Sequence, residues 1–215
     1  MNEQPDLFAS PQAWLHLPLP DADVRYLSAF YNTHDGQALF DILMAQTPWR
    51  CERVTVWGRQ HWQPRLTAWC GDAGLRYAYS GSALDTVPWT PTLLQIREAI
   101  ETASGHAFNS VLINLYRDGQ DSMGWHSDNE PALGVRPVIA SLTLGATRRF
   151  RFKTKQRNAY PPMTISLAAG SLLVMAGDTQ TNWLHAIDKD RSPVGARINL
   201  TFRHIVEQVR ICTAK

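Results

Sequence analysis

Residues 197–203 read RINLTFR, and the strict alternation of this stretch decides the fold. Successive side chains of an extended chain point to opposite faces. Ile198, Leu200 and Phe202 therefore share one face, and Arg197, Asn199, Thr201 and Arg203 share the other. A period of two predicts a strand rather than a helix. The polar face has two explanations. It meets solvent, the ordinary case for an alternating antiparallel strand, or it lines a cavity that binds an anion.

Working back from this strand, short runs of the same kind follow one another: VLINLY (111–116), VIASLTL (138–144), RRFRF (148–152), MTISL (163–167) and SLLVM (171–175), with turn residues between most of them. Asn114 and Tyr116 share one face of the first run, and their ordinary reading is a polar strand face with a satisfied hydroxyl. Helical signals lie earlier. Leu39, Phe40, Ile42 and Leu43 give an apolar stripe over Gln37–Gln46, ended by Pro48. Thr90 as N-cap, Pro91 at the first helical position, Leu93, Ile96 and Ile100 on one face and Gly105 as the stop mark a second helix. Helices followed by many short strands without helical crossovers predict an α+β protein whose larger part is an antiparallel sandwich or jelly roll. A jelly roll leaves an open mouth in which a metal can sit.

The chain has 215 residues, 44% of them hydrophobic, enough for one domain with a sizeable core. Pro5 to Pro20 reads as an irregular arm, and no internal repeat or low-complexity tract follows. No segment approaches the roughly 18–20 apolar residues that span a bilayer, and the first ten residues lack a basic start and an apolar run, so a cytoplasmic location without membrane attachment is expected. Cys51, Cys70 and Cys212 form no C-x-x-C pair, which argues against a disulfide framework and a zinc ribbon. A net charge of +2 excludes a protein that coats nucleic acid, so any such binding is local. Arg59 and Arg65 flank a Trp-rich stretch, and Arg148, Arg149, Arg151, Lys153, Lys155 and Arg157 cluster around one strand. Such clusters are ordinarily solvated faces.

WHSDNEP (125–131) brings the chemistry. In an extended segment His126 and Asp128 project to the same side and can converge on one point. An isolated H-x-D is ordinarily a surface turn with an incidental His, and a lone His185 in NWLHAI is ordinarily a hydrogen-bonded core residue. An H-x-D, a distant His following a strand and an Arg-bearing final strand, in that order, match the two-His-one-carboxylate facial triad of non-haem Fe(II) oxygenases.

On these residues, and on PRLTAWCGDAGLRYAYSG (64–81), PWTPTLLQIREAIETASGHAFNSVLINLYRDGQDSMGWHSDNEPALG (88–134) and PVIASLTLGATRRF (137–150), the chain resembles the AlkB family of 2-oxoglutarate and Fe(II)-dependent dioxygenases, in particular the homologues that repair alkylated duplex DNA. The resemblance implies a double-stranded β-helix (jelly-roll) core with N-terminal helices and a nucleotide-recognition lid. As one domain this divides into arm and first helix over 1–50, lid over 51–90, and helix plus catalytic core over 91–215. It implies iron ligands His126, Asp128 and His185, and 2-oxoglutarate contacts from Asn114, Tyr116, Arg197, Asn199, Thr201 and Arg203. It implies a substrate surface using Trp57, Gly58, Arg59, Trp69, Tyr77, Ala78, Tyr79, Ser80, Asn129 and Arg157. The implied reaction is oxidative demethylation of bases such as 1-methyladenine and 3-methylcytosine in duplex or single-stranded DNA by a monomer, with release of succinate, carbon dioxide and formaldehyde. By the resemblance Val56, Trp57 and Gly58 take the place of an apolar tip that fills the gap left by a flipped base, with Arg59 and Arg65 on neighbouring phosphates. Ordinary core packing is the competing reading for Trp57, Tyr77 and Tyr79. In one respect the chain departs from the family: an acidic residue often follows the H-x-D, and here Asn129 does. The same iron site acting on RNA or a protein side chain, or a non-catalytic damaged-base binder, are the alternatives.

Overall fold

The computed structural model describes residues 13–56, 59–79, 82–85, 87–157, 159–192 and 194–206, and of 54–56, 59, 76–79 and 82–85 the backbone alone. In chain order the elements are β1 (Leu15–His16), β2 (Asp23–Leu27), α1 (Thr33–Gln46), β3 (Arg53–Val56), β4 (Arg59–Trp62), β5 (Leu66–Gly71), β6 (Arg76–Tyr79), β7 (Ser82–Asp85), α2 (Pro91–Ser104), β8 (Ser110–Tyr116), β9 (Met123–His126), β10 (Ile139–Gly145), β11 (Arg148–Thr154), β12 (Met163–Leu167), β13 (Leu172–Ala176), α3 (Thr179–Asn182), β14 (Trp183–Ile187) and β15 (Arg197–Arg203). A 3₁₀ turn at Pro131–Leu133 follows β9. None of the described helices is long and apolar enough to cross a membrane.

Two antiparallel sheets, arranged as in a jelly roll, carry the fold. The larger has the order β1-β2-β13-β10-β15-β8-β5, the smaller β12-β11-β14-β9, and β3-β4 and β6-β7 form separate hairpins. The alternation in β15 assigns its two faces. Ile198, Leu200 and Phe202 join Ile113, Leu115, Leu142 and Val174 in a core covered by Leu43 of α1 and Leu93, Ile96 and Ile100 of α2. The opposite face looks into the space between the sheets, where a second core gathers Trp69, Leu112, Tyr116, Phe150, Phe152, Met175 and Trp183. Every residue of β15 is buried, the polar ones included. The solvent explanation for that polar face therefore gives way to the cavity. A strand sandwiched between helices and a second sheet has no wet side.

α2 occupies the expected span. The Thr90 side chain accepts from the Leu93 N–H, Pro91 opens the first turn, and Gly105, at φ 75°, ends it in a left-handed conformation that glycine adopts without a Cβ penalty. α1 begins four residues before the expected Gln37, because Asn32 caps it through the Asp35 N–H. The arm and the segment expected as a lid are less separate than the composition suggests. Leu15–His16 pairs with β2, which adds to β13, and β5 pairs with β8 at the edge of the large sheet. Among the described strands of 51–90, the two hairpins stand apart from the large and small sheets.

Candidate active site

The first two candidate metal ligands are cross-strand neighbours. His126 ends β9 and is in register with His185 on β14, with a bulge between His185 and Ile187. Their rings lie 4.2 Å apart, edge to face, and Phe150 stacks on His185 at 5.2 Å. Past β9 the chain turns, with Ser127 Oγ donating to Asn129 Oδ1 at 3.1 Å, and this turn swings Asp128 back to the same point. One ligand atom from each of His126, Asp128 and His185 lies within 4.8 Å of the other two, the one such group of at least three among the described residues.

Each ligand is held by a second contact. His126 Nδ1 is 2.8 Å from Gly124 O, so it carries the proton and leaves Nε2 free for a metal. The Asp128 N–H donates to Gln180 Oε1 at 2.9 Å, and its Oδ1 accepts from Arg203 Nη2 at 2.7 Å. Burial alone would push the Asp128 carboxyl up, but the charge of Arg203 and the two imidazoles overcome it and hold the group down at about 2. Burial, reinforced by the neighbouring His126, lowers His185 to about 3. Burial likewise lowers His126. At neutral pH the set is one carboxylate and two neutral imidazoles, the donor set and charge that suit Fe(II) while leaving coordination positions for other ligands.

Beside the triad opens a pocket of about 460 Å³, its mouth included. Asn114, Tyr116, Asn199, Thr201 and Arg203 line its polar side, and Leu112, Met123, Phe150, Met175 and Ile187 its apolar side. Arg197 lies against Tyr116, its guanidinium carbon 5.2 Å from the ring centroid. Its Nη2 donates to Thr143 Oγ1 at 2.9 Å, whereas Nε and Nη1 are buried without a partner. Burial pulls this guanidinium down to about 10, still charged at neutral pH. A completely buried cation with two idle donors is costly unless an anion completes it. That vacancy in hydrogen bonding fits a carboxylate such as the far end of 2-oxoglutarate. Asn199 is different. Its amide donates to Ser141 Oγ and Leu142 O and accepts from Thr201 Oγ1, so it braces the pocket floor.

Among the expected substrate residues, Trp69 is 6% exposed and pairs with the pocket residue Leu112. Tyr77, Ala78 and Tyr79 form β6, and Arg59 opens β4, all four with side chains outside the described set. Trp57, Gly58 and Ser80 lie outside the described residues. Asn129 is exposed beside the triad, and Arg157 is exposed in the turn after β11. Arg65 corrects its expected role as an outer phosphate contact. It is 4% exposed, lines the pocket and donates through Nε to Asn114 Oδ1 at 2.8 Å. Arg65 lies in a stretch that carries the family resemblance, but nothing in that stretch marks it as buried, and Gln180 reaches the site from a segment in which no site residue was expected.

The family model described as the 2OG-Fe(II) oxygenase superfamily matches residues 23–203. "Alpha-ketoglutarate-dependent dioxygenase alkB homolog 3" of Bos taurus is 40% identical over 193 residues, covering 84% of this chain and 65% of the relative. "DNA oxidative demethylase ALKBH2" of Homo sapiens is 36% identical over 203 residues, covering 90% of this chain and 77% of the relative. The chain thus spans a little under two thirds of the alkB homolog 3 relative. Among solved structures, "The structure of OsALKBH1" superposes with a TM-score of 0.59 at 14% identity, covering 89% of this chain and 100% of that one, a likeness of fold. With this donor set, cavity and extent of similarity, the chain belongs to the 2OG-Fe(II) oxygenase superfamily and, within it, to the AlkB family, whose metal is Fe(II) and whose cosubstrate is 2-oxoglutarate.

Proposed function

We propose that the protein is an oxidative demethylase that removes N-linked methyl groups from bases such as 1-methyladenine and 3-methylcytosine in DNA. The reaction consumes 2-oxoglutarate and dioxygen and releases succinate, carbon dioxide and formaldehyde. One observation carries this reading: the cavity that holds His126, Asp128 and His185 is also lined by Tyr116, and against Tyr116 lies a buried Arg197 whose Nε and Nη1 lack hydrogen-bond partners. A metal store needs the first feature and not the second. The names of the alkB homolog 3 and ALKBH2 relatives support DNA as the substrate class.

When bound, Fe(II) supplies the oxidising chemistry that couples decarboxylation of 2-oxoglutarate to hydroxylation of an N-methyl carbon. The chain's own residues do the rest. Gly124 O fixes the His126 tautomer, Gln180 and Arg203 fix Asp128, and the low basicity of His185 keeps protons from competing for the site. Arg197 and Tyr116 receive the far carboxylate, a guanidinium fork being the planar partner that two carboxylate oxygens need. Leu112, Met123, Phe150, Met175 and Ile187 exclude water from the reacting centre.

A base reaches such a site only after leaving its stack. In this reading the lid expected over 51–90 is carried by the β3-β4 and β6-β7 hairpins. Their bases are tied to the site side of the fold, β3-β4 through Arg65 in the pocket and β6-β7 through Leu75 packed on the inter-sheet core. In this reading Tyr77, Tyr79 and Trp69 wall the flipped base, with Ala78 and Ser80 between and after the two tyrosines. Asn129 addresses the base edge with an amide that donates and accepts. Trp57 and Gly58 fill the vacated stack, and Arg59 and Arg157 hold phosphates. Duplex as well as single-stranded DNA is then accepted.

The test is an anaerobically iron-loaded preparation given dioxygen, 2-oxoglutarate and oligonucleotides carrying 1-methyladenine or 3-methylcytosine, single- and double-stranded, DNA and RNA. Succinate and formaldehyde in equal amounts, with loss of one methyl group from the DNA oligonucleotide by mass, is the expected result. Succinate without demethylation of DNA would refute DNA as the substrate. No succinate with any oligonucleotide would refute the enzyme.

A further inference from the structure

Near Tyr116, which lines the cavity, lies a second buried arginine that the reaction as described leaves without a task. Arg148 opens β11 and is 2% exposed. Its three hydrogen bonds all go to main-chain carbonyls: Nη1 to Asp118 at 3.0 Å, and Nη2 to Asp121 at 2.9 Å and to Asp188 at 2.7 Å. Those oxygens come from two loops, one after β8 and one after β14.

The two loops are also fastened to each other. The Asp190 N–H donates to Gly119 O at 2.7 Å, and a Cβ at Gly119 would stand 2.4 Å from Asp190 O, an approach only glycine permits. Arg117 closes the first loop on Asp121 through Nε at 2.8 Å and Nη2 at 2.9 Å. Arg148 is thus anchored to both of these loops, which are themselves joined by the Asp190–Gly119 bond.

From that anchorage its guanidinium reaches the Tyr116 ring. The Arg148 guanidinium carbon lies 5.7 Å from the centroid of the Tyr116 ring, and that of Arg197 lies 5.2 Å from the same centroid. Tyr116 and Arg197 are in turn cross-strand partners in the β8–β15 register. A planar five-donor fork can bond several carbonyls along its edge and still offer a flat cation to an aromatic ring, which an ammonium cannot do. The direction of the phenol hydroxyl follows the ring, and a hydrogen bond tolerates displacements of only a few tenths of an ångström.

We infer that Arg148 is a positioning residue that, together with Arg197, fixes the Tyr116 ring, so that the Tyr116 hydroxyl and Arg197 converge on one cosubstrate carboxylate. This rests on the proposed role of Arg197 and Tyr116 toward 2-oxoglutarate. It assigns to the RRF segment at 148–150, a charge cluster in the sequence, a structural partner inside the protein.

The test is calorimetric titration of 2-oxoglutarate into the Mn(II)-loaded full chain, with Mn(II) affinity measured separately. Arg148→Met is expected to weaken 2-oxoglutarate binding at least fivefold and to leave Mn(II) affinity within twofold. Arg148→Lys, which keeps a cation near the ring, should recover part of the loss. The decisive arm is Tyr116→Phe: with the hydroxyl gone, adding Arg148→Met should cost less than twofold more, because both changes remove the same contact. A full fivefold loss in the Tyr116→Phe background, an equal loss of Mn(II) binding, or no loss at all would overturn the inference. If Arg148→Met does not fold, the same cycle run with Arg148→Lys decides between coupling and additivity. Failure of the unsubstituted protein to bind 2-oxoglutarate would instead refute the proposed function.

Discussion

Replacing Arg197 with methionine deletes a guanidinium that is 0% exposed and keeps an unbranched apolar stem in the middle of β15. Two of its nitrogens, Nε and Nη1, have no partner, while Nη2 donates to Thr143. Leaving a buried donor unsatisfied costs about 1–3 kcal/mol. Removing two such donors therefore relieves about 2–6 kcal/mol, against which stands the lost Thr143 bond of about 1 kcal/mol and some loss of packing. The ligand-free variant is expected to melt no lower than the parent. Its response to 2-oxoglutarate should collapse. At a concentration of roughly 100 Kd the parent gains about 2.7 kcal/mol of stability, which for a chain of this size raises Tm by about 5–10 °C. Two charge-assisted bonds of about 1.5–3 kcal/mol each disappear in the variant, so affinity falls at least about 100-fold and the same concentration moves Tm by about 1 °C. Differential scanning fluorimetry of Mn(II)-loaded parent and variant, with and without 2-oxoglutarate, measures both effects. A ligand-free variant melting 5 °C or more below the parent, on the scale that about 2 kcal/mol sets, would mean that the donors are satisfied after all. A retained ligand shift would move the anion site away from Arg197.

His126→Ala, Asp128→Ala and His185→Ala should each abolish Fe(II)-dependent succinate formation, and undiminished turnover in any one would remove that residue from the metal set; zinc should compete for the site without supporting oxidation, as a redox-inert ion. Arg197→Lys should raise the KM for 2-oxoglutarate about tenfold or more while leaving metal affinity intact, since a point charge cannot replace a fork. Trp57→Ala should preserve Tm and activity on a methylated single strand but lower activity on the same lesion in a duplex about tenfold, the scale of losing roughly 1–3 kcal/mol of base stacking; equal losses on both would make Trp57 a packing residue. Burial pushes the Cys70 thiol up to about 11, whereas Cys51 is exposed, so in a Cys212→Ser background a thiol reagent at pH 7.5 should label Cys51 alone, and a second equivalent before unfolding would show that β5 opens.

The sequence by itself determined many of the local elements and supplied the candidate chemistry-bearing residues. The span of α2 follows from a Thr cap, a Pro and a terminal Gly, each of which acts within one turn of the chain. Of the strands from β8 onward all but β9 and β14 are visible as short strand-like runs, and the order of His126, Asp128, His185 and Arg197 gives the expectation of an iron and oxo-acid site. Only the tertiary structure decided that the polar face of β15 lines a cavity and does not meet water. Alternation is the same whether the polar side meets water or a cavity, and the answer depends on a second sheet whose strands lie tens of residues away in sequence. The same holds for β2 and β5, whose places in the large sheet depend on pairing with β13 and β8 across long loops. It holds for Arg65, Gln180 and Arg148 as well. Their contacts are to Asn114, to the Asp128 N–H and to three carbonyls of two loops, partners 27 to 52 residues distant in the chain. A charged side chain carries no mark of being buried until the fold brings those partners to it, because burial of a guanidinium is permitted by what surrounds it and not by its own chemistry.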